Sequence, residues 1–346
     1  MTGRVSPPDV TRTTIHDVAR AAGVSSSTVS RAMTGGVVSP ATRQAVLAAA
    51  DRLGYRPNRQ AQGLVTGRTG TLGLVVPDLG NPFFADVAKG VSVRARALDI
   101  QVFIADTDED AMAELEAIRS LAGGVDGLLV CSPRTPDDEL RAVLGAQPTV
   151  TIHRLVPGLP SVTADIVGGT HQAIAHLSAL GHRHIAYVHG PQASWADAQR
   201  TVGLSDGASQ TRVTPFGPVA PTFDGGIAVA DVVLASGATA VVAYNDLVAL
   251  GLLNRLAARG VRVPDECSVV GYDDVAVAAM VSPPLTTVQV PRGKAGTASV
   301  DLMLRTLTAG SDAPPERMVM ATSLVVRGST GVVPAPGGAP GAGGPR

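Results

Sequence analysis

From residue 71 onward the chain alternates between short apolar runs and longer helical runs, and this alternation restricts the possible folds more than any other feature. The apolar runs are mostly β-branched and nearly continuous, as in parallel strands covered by helices on both faces. The segment is too long for one open sheet of this kind, so it predicts an α/β core of two lobes with parallel sheets. The predicted strands are 72–77, 101–105, 127–131, 150–153, 184–189, 240–244, 267–272 and 286–290, and the predicted helices include 83–98, 109–121, 170–180, 225–235 and 247–259.

The pattern of residues 14–31 predicts two short helices around a tight turn. Thr14 and Asp17 can form a capping pair at the first helix, and Gly23 can supply the turn because glycine adopts left-handed backbone angles cheaply. Ser25 or Ser26 can cap the second helix. The outer face of that helix carries serines and an arginine, which suit the major groove of DNA. The pattern indicates a helix-turn-helix with a recognition helix over residues 26–32; the alternative is an ordinary helical hairpin with a solvated face.

A serine–proline pair at residues 39–40 predicts the start of a third helix. Four apolar residues are expected to form its core face: Val46, Leu47, Ala50 and Leu53. The chain then has five predicted parts: a flexible arm (1–12), a helix-turn-helix headpiece (13–57), a linker of weak helical potential (58–68), the two-lobed core (69–330) and a Pro- and Gly-rich disordered tail (331–346).

Charge is distributed unevenly along the chain. Residues 1–68 carry nine arginines, no lysine and three acidic residues, a net charge of +6 in a chain whose total is −1. A basic module on a neutral-to-acidic body suits a polyanionic partner such as the phosphate backbone of double-stranded DNA. The charge distribution therefore favours DNA binding over the helical-hairpin alternative.

The sequence offers little that indicates catalysis, a metal site or a membrane. It contains no P-loop, no GxGxxG after the first core strand and no GxSxG elbow. Cys131 and Cys267 lie in apolar runs without a CxxC pair, so we expect reduced, buried thiols. No signal peptide opens the chain, and no apolar run is long enough to cross a bilayer. We expect a cytoplasmic, nucleoid-associated protein that is not an enzyme and uses no cofactor.

Polar and aromatic residues follow the predicted strands at their carboxyl ends, where open α/β sheets bind ligands. Aromatic faces stack on small ligands, while carboxylates and amides take hydroxyls, so these ends suit a small polar ligand. A second interpretation is that Asn245, Asp246, Asp273 and Asp274 cap the helices that follow them. We favour a ligand role for Asn245 and Asp273 and a capping role for Asp246 and Asp274.

Eight stretches between about residue 14 and about residue 327 form a specific combination of motifs: TIHDVARAAGVSSSTVSRAM, SPATRQAVLAAADRLGYRPN, AQGL, LGLVVPDLGNPFFA, GHRHIAYVHGP, AYNDLVALG, SVVGYDD and PLTTV. In these motifs the chain resembles the LacI/GalR family of bacterial transcriptional regulators. The resemblance implies a core similar to periplasmic sugar-binding proteins, with three chain crossings between two lobes. Lobe 1 would then comprise residues 69–163 and 291–318, and lobe 2 residues 164–290 and 319–330.

The resemblance also implies roles for individual residues. The bases would be read by Ser26, Ser27 and Arg31, and phosphates would be held by Thr14, Ser25, Thr28, Ser30 and Asn58. Residues 58–66 would form a hinge helix, with Leu64 as an apolar wedge in the minor groove. The effector would be contacted by Phe83, Phe84, His153, Arg200, Asn245 and Asp273, with Trp195 either in the cleft or at its rim.

Four features depart from the family pattern, and the first is Thr34, which replaces a usual Asn after the recognition helix. His153 stands where many sugar-binding members have Asp, and Val290 where Gln is frequent, so the pattern of hydrogen-bond donors and acceptors changes. The Gly- and Pro-rich segment 202–221 predicts little helix in the wall of lobe 2.

The sequence as a whole predicts a homodimeric repressor that binds a near-palindromic DNA operator under the control of a carbohydrate-like effector. The nearest alternative is an activator, or a repressor that needs no effector. A transport-type sugar receptor and an α/β enzyme with an added helical domain are more distant alternatives.

Overall fold

The computed structural model describes residues 13–33, 36–55, 68–207, 211–309 and 314–333. The chain divides into two compact units, residues 1–69 and residues 70–346. The predicted arm, Asn58 and Leu64 of the predicted hinge, and most of the predicted tail lie outside the described residues.

The described part of the first unit contains helices α1 (Ile15–Ala22), α2 (Ser26–Met33) and α3 (Pro40–Arg52). Helix α1 begins after Thr14, whose amide and hydroxyl donate to Asp17 Oδ2 at 3.0 and 2.8 Å. It ends at Gly23, which adopts a left-handed φ of 65°. Helix α2 is capped by Ser25, whose hydroxyl accepts the N–H three residues further on at 3.2 Å. The predicted helix-turn-helix is confirmed, with the first of the two candidate serines as its cap.

Small and β-branched side chains form the core of this unit. Its fully buried members include Val18, Val29, Val46 and Ala49. The predicted core face of α3 is wrong in part, because Leu47 and Leu53 are 49% and 38% exposed. Leu47 lies about 100° around the helix from Val46, and Leu53 comes after the last helical residue. The small Ala49 occupies the buried position and lets α3 approach its neighbours closely.

The second unit consists of two lobes, each built on a six-stranded sheet of the described residues. In lobe 1 the strand order is β11-β5-β4-β3-β1-β2, and every pair is parallel. Its strands are β1 (Thr71–Val76), β2 (Gln101–Asp106), β3 (Gly127–Cys131), β4 (Thr149–Ile152), β5 (Ser161–Ala164) and β11 (Arg317–Met320). Its helices are α4 (Pro82–Ala97), α5 (Ala111–Ala122), α6 (Asp137–Leu144) and α11 (Arg292–Ala309).

In lobe 2 the strand order is β12-β10-β9-β8-β6-β7, parallel except for the antiparallel edge strand β12. Its strands are β6 (His184–Val188), β7 (Arg212–Phe216), β8 (Ala240–Ala243), β9 (Ser268–Asp273), β10 (Thr286–Gln289) and β12 (Ser323–Val325). Its helices are α7 (Ile166–Ala179), α8 (Trp195–Gly207), α9 (Phe223–Ala235) and α10 (Asp246–Ala258), and a 3₁₀ turn spans Ala276–Ala279.

The chain crosses between the two sheets three times. It passes from β5 to α7 near residue 165, from β10 to α11 near residue 290, and from β11 to β12 near residue 321. Both sheets present the carboxyl ends of their parallel strands to the same region, where ligands bind in open α/β folds. The predicted α/β fold with two parallel-sheet lobes is confirmed.

The segment 202–221 is more regular than its composition predicts. Helix α8 continues to Gly207, and the segment also contains the whole of β7. Strand β7 is an edge strand that pairs with β6 alone, which allows it to contain Pro215 without losing a ladder bond on its outer side. Cys131 and Cys267 are free and buried, as the sequence predicts.

The ordered core continues into the predicted tail. Gly331 donates its N–H to Ser268 Oγ at 3.1 Å and accepts a hydrogen bond from His182 Nε2 at 3.1 Å. The N–H of Val333 donates to Leu180 O at 2.9 Å. The assignment of residues 331–333 to a disordered tail is therefore wrong, because the backbone of these residues pairs with lobe 2 although their side chains add little to a core.

Candidate ligand-binding cleft and DNA-reading helix

A cleft lies between the two lobes at the carboxyl ends of their strands. It encloses about 580 Å³, including its open mouth, which is a typical size for a small-molecule site. All seven side chains that the sequence proposes as ligand contacts line it: Phe83, Phe84, His153, Trp195, Arg200, Asn245 and Asp273.

Helix α4 supplies the aromatic part of the lobe 1 wall. Asn81 caps this helix by accepting the N–H of Phe83 at 3.0 Å, which places Phe83 and Phe84 in its first turn. The two rings meet edge to face with centroids 5.1 Å apart, and Phe83 packs 4.9 Å from the ring of His153. This group of rings offers an apolar surface to a ligand in the cleft.

His153 follows β4 in a left-handed conformation with φ of 56° and is buried. Burial lowers the pKa of its imidazole to about 3, with smaller contributions from the cations of Arg292 and Arg200, so the ring is neutral at pH 7. Within the described residues its Nε2 has no hydrogen-bond partner. The ring can therefore present one donor or one acceptor to a ligand, depending on its tautomer.

Arg200, on helix α8, is a buried cation with incomplete hydrogen bonding. Its guanidinium carbon lies 3.9 Å from the ring centre of Tyr272 and 4.6 Å from that of Tyr244. Its Nη2 is 3.8 Å from Asp273 Oδ1, which is an ion pair but too long for a hydrogen bond. Nε and Nη1 are buried and lack a partner in the described part of the chain. Aromatic faces thus fix the cation while leaving donors for another molecule.

Asp273 ends strand β9 with an unusual left-handed φ of 113° and a buried side chain. Burial raises the pKa of its carboxyl to about 7, against the opposing effect of Arg200 and Arg292. The carboxyl is therefore close to half-ionised near neutral pH. It can accept hydrogen bonds from ligand hydroxyls when ionised.

Asn245 combines a capping role with a position in the cleft. Its Oδ1 accepts the N–H of Val248 at 2.9 Å as the cap of α10, and its Nδ2 donates to Pro221 O at 2.9 Å. One N–H and one lone pair remain for a ligand. The capping interpretation is wrong for Asp246, which accepts from Thr287 Oγ1 at 2.5 Å. It is also wrong for Asp274, which binds Arg327 and Gln289.

The described headpiece presents helix α2 with its polar residues on the surface. Ser26 Oγ lies 3.0 Å from His16 Nδ1, and Ser25 Oγ lies 2.8 Å from Ser27 Oγ. Within the described residues, the side chain of Arg31 makes two long contacts in its own helix, 3.4 Å from Ser27 O and 3.4 Å from Thr28 Oγ1. Such an exposed, weakly held arginine is available to a base edge. Asn58 and Leu64 fall outside the described residues, so their proposed DNA contacts remain predictions.

Two family models match the two units of the chain. The model described as bacterial regulatory proteins, lacI family, matches residues 14–58. The model described as a periplasmic binding protein-like domain matches residues 174–330. The transcriptional regulator DegA of Bacillus subtilis is 34% identical over 92% of this chain and 98% of its own length. The chain belongs to the LacI family.

Solved structures of LacI-family regulators have the same fold. A CelR–cellobiose complex is 36% identical, with a TM-score of 0.68, and the match covers 92% of this chain and 100% of that chain. A Lac repressor dimer bound to operator and the anti-inducer ONPF is 28% identical, with a TM-score of 0.83, over 92% of this chain and 99% of that chain. Family membership confirms the prediction of a DNA-binding transcriptional regulator rather than an enzyme.

In this LacI-family chain the sequence reasoning missed much of the polar wall of lobe 1. Glu109, Ser132 and Arg134 line the cleft, and so do Tyr244 and Tyr272 of lobe 2. Most of these residues end a strand or follow it within three positions, which is a signal that could have identified them. Trp195 begins α8 and lines the cleft with its side chain half-buried.

The described residues contain neither a cluster of metal ligands nor a membrane-spanning helix. Their His, Cys, Asp and Glu side chains form no group of three or more that could hold a metal ion. Among their helices, none combines the length and apolar character needed to cross a membrane.

Proposed function

We propose that this LacI-family regulator is an operator-binding repressor whose DNA affinity is set by a carbohydrate-like effector in the cleft between the lobes. The observation that carries the effector assignment is the incomplete hydrogen bonding of the buried Arg200 side chain. Its buried guanidinium is fixed between two tyrosine rings, and two of its nitrogens lack partners in the described residues. An incompletely bonded buried cation is costly unless a ligand completes it.

The chemistry of the cleft fits a polyol better than an apolar ligand. Phe83 and Phe84 supply apolar faces, while Arg200, Asp273 and His153 supply a cationic donor, an acidic acceptor and a neutral polar group. Sugars have this combination of apolar ring faces and hydroxyl edges. The relative CelR, solved as a cellobiose complex, supports a saccharide.

On DNA, we infer that a homodimer places one headpiece in each half of a near-palindromic operator. In each headpiece Ser26, Ser27 and Arg31 contact bases. Phosphates are held by Thr14, Ser25, Thr28, Ser30 and Asn58, and Leu64 enters the minor groove as a wedge. The Lac repressor dimer solved on its operator supports this arrangement. Operator binding would place the protein on the nucleoid.

The effector acts by shifting a population of conformations. A ligand that binds the closed cleft more tightly than the open one favours closure, and closure changes how the lobe 1 surfaces of two protomers pair. The pairing controls the order of the segment between headpiece and core, and with it DNA affinity. A ligand with equal affinity for both states would change nothing.

The test is a thermal-shift panel of sugars, sugar phosphates, nucleosides and polyols on the full chain. A ligand at about a hundred times its Kd adds roughly 2.7 kcal/mol to the stability. We expect a saccharide hit that disappears in Arg200→Met and Asp273→Asn, and that changes binding to a DNA selected from a random pool. A hit that persists in both variants would contradict the assigned cleft, and failure to select any DNA would contradict the regulator.

A further inference from the structure

Arg292 is the first residue of α11, immediately after the crossing from lobe 2, and its side chain is 12% exposed. Its Nε and Nη2 lie 3.0 and 2.9 Å from Oδ2 of Asp86, on helix α4 of lobe 1. Its Nη1 donates to the backbone carbonyl of Asp273 and its Nη2 to that of Asp274, the latter at 3.0 Å. One side chain therefore contacts both walls of the cleft.

The turn that Arg292 contacts in lobe 2 is conformationally unusual. Asp273 and Asp274 have φ values of 113° and 57°, and two successive left-handed residues without glycine persist only when their surroundings hold them. Lobe 2 holds the amides of this turn: the N–H of Asp274 donates to Thr287 Oγ1 at 3.3 Å, and the next N–H donates to Asp246 Oδ2 at 2.8 Å. The carbonyls of the same turn are held from lobe 1, by Arg292.

The lobe 1 end of this connection is fixed on a rigid pair of helices. Asp86 lies one turn after Phe83, so the helix that holds Arg292 also carries the aromatic wall of the cleft. Helices α4 and α11 touch through their backbones: a Cβ on Gly90 would lie 2.2 Å from Gly293 O, and one on Gly296 would lie 2.3 Å from Val87 O. The lobe 1 end of the Arg292 connection is therefore fixed, because this closely packed pair of helices cannot shift easily.

We propose that Arg292 is a positioning residue that joins the two cleft walls. It holds Asp273 in the conformation that aims its carboxyl into the cleft, and it ties that turn to helix α4 through Asp86. Closure of the cleft on a ligand is thereby transmitted to lobe 1. The regulatory consequence rests on the proposed function, whereas the connection itself is a property of the free protein.

The chain offers a matched control in the same two helices. Arg94 of α4 donates through Nε to Asp301 of α11 at 2.7 Å, and both side chains are about one-third exposed. This ion pair also joins α4 to α11, but both of its members belong to lobe 1. Arg94→Gln therefore removes an arginine–aspartate link between the helices without touching the Asp273 turn.

The first measurement is amide hydrogen exchange by mass spectrometry on the full chain without DNA or effector. We expect Arg292→Gln to raise exchange in the peptide covering residues 270–276 by about tenfold or more, as for loss of a charge-assisted hydrogen bond. Asp86→Asn should raise exchange in that peptide too, because Asp86 acts on the turn through Arg292. Arg94→Gln should leave it unchanged. Unchanged exchange in Arg292→Gln, or an equal rise in Arg94→Gln, would overturn the proposal.

The second measurement follows the titration of Asp273 through Trp195, the only tryptophan of the chain, which lines the same cleft. The charged groups that interact with Asp273 are Arg200 on α8, Arg292 on α11 and Asp246 on α10. Arg200 and Arg292 lower the pKa of Asp273, so Arg292→Gln should move the fluorescence midpoint upward from about 7.

Two variants control this titration. Asp273→Asn should abolish the transition. Arg292→Lys keeps the charge but loses the fork of donors, so it should keep the midpoint near the wild-type value while still raising exchange at residues 270–276. A midpoint that stays in place in Arg292→Gln would overturn the electrostatic part of the proposal. Both measurements are independent of any effector or operator, so they distinguish failure of this connection from failure of the proposed function.

Discussion

Two buried arginines of the cleft, Arg134 of lobe 1 and Arg200 of lobe 2, differ in their hydrogen bonding. In lobe 1, Arg134 donates to both carboxylate oxygens of Glu109, at 2.5 and 3.0 Å, and to Ser132 O at 2.8 Å. In lobe 2, Arg200 is equally buried but leaves Nε and Nη1 without partners in the described residues. A buried arginine whose donors are bonded to the protein stabilises the wall of the cleft. A buried arginine with unbonded donors can donate hydrogen bonds to a ligand.

The headpiece shows the same contrast between an internal and an external arginine. Arg43 of α3 donates at 2.7 Å to Ala32 O and at 2.7 Å to Gly36 O, so it ties the end of α2 to the third helix. In the part of the chain that the structure describes, the hydrogen bonds of the Arg31 side chain are two long contacts within α2. Both carry the same charge in the basic segment, but only Arg31 has its donors available to DNA. Net charge alone therefore does not identify the residues that read a sequence.

The largest expected effect compares the two cleft arginines directly. Arg134→Met leaves the Glu109 carboxylate without its bidentate partner, and breaking such a buried pair costs about 3–5 kcal/mol of unfolding free energy. Arg200→Met removes a cation that the described protein bonds incompletely, so it should cost less unfolding free energy than Arg134→Met while abolishing effector binding. Urea unfolding measures both free energies. Equal losses in the two variants would show that the contrast between the two arginines has no energetic basis.

A second prediction uses the pKa of Asp273, which burial raises to about 7. Because the folded protein binds this proton more tightly than the unfolded chain does, the carboxyl favours the folded state at low pH, and this contribution is lost as the pH rises from about 4 to about 7. The stability of the wild type relative to Asp273→Asn should fall over that window by at most about 4 kcal/mol. Denaturant unfolding at several pH values checks it, since other groups cancel in the difference. A difference that is flat with pH would contradict the raised pKa.

The amino-acid pattern predicts the elements with a strong local signal better than those that depend on their tertiary neighbours. The helix-turn-helix and the apolar strands of both sheets are local signals. Strand β5, Ser161–Ala164, is four residues long with serine and threonine in it, and it is recognisable only from its pairing with β4 and β11. Helix α6 likewise has only two buried side chains, Leu140 and Leu144, and its pattern is too short to identify alone.

The sequence predicts several residues of the cleft but not the hydrogen bonds between them. Residues such as Phe84, Arg200 and Asp273 are predictable because they follow strands and match a family pattern. The sequence does not reveal that the hydrogen-bond donors of Arg134 are bonded to Glu109 and Ser132, whereas two donor nitrogens of Arg200 have no partner in the described residues. That distinction depends on which side chains meet across 25 or more residues of chain, and therefore on tertiary structure.

The third prediction tests the contrast in the headpiece. Arg31→Ala should weaken binding to the selected operator by about 1–3 kcal/mol and relax the preference at one base pair, because a bidentate arginine–guanine contact is lost. The stability of the headpiece should hardly change, since the contacts of Arg31 in the free protein are long. Titration of operator and random DNA at one salt concentration measures both effects. Equal losses on the two DNAs would make Arg31 a phosphate contact instead.

The smallest expected effect is the loss of unfolding free energy in Arg94→Met. It tests whether hydrogen bonding or burial makes an arginine–carboxylate pair costly to break. Arg94 donates to Asp301 at 2.7 Å, which is shorter than two of the hydrogen bonds that the Arg134 side chain donates. The side chains of Arg94 and Asp301 are both about one-third exposed. If burial makes a broken pair costly, Arg94→Met should lose less than about 1 kcal/mol of unfolding free energy, because water replaces the lost partner. Urea unfolding beside Arg134→Met provides the measurement. If Arg94→Met loses as much unfolding free energy as Arg134→Met, a short ion pair is costly to break even when it is exposed. The difference between Arg134 and Arg200 would then come from their hydrogen bonds and not from burial.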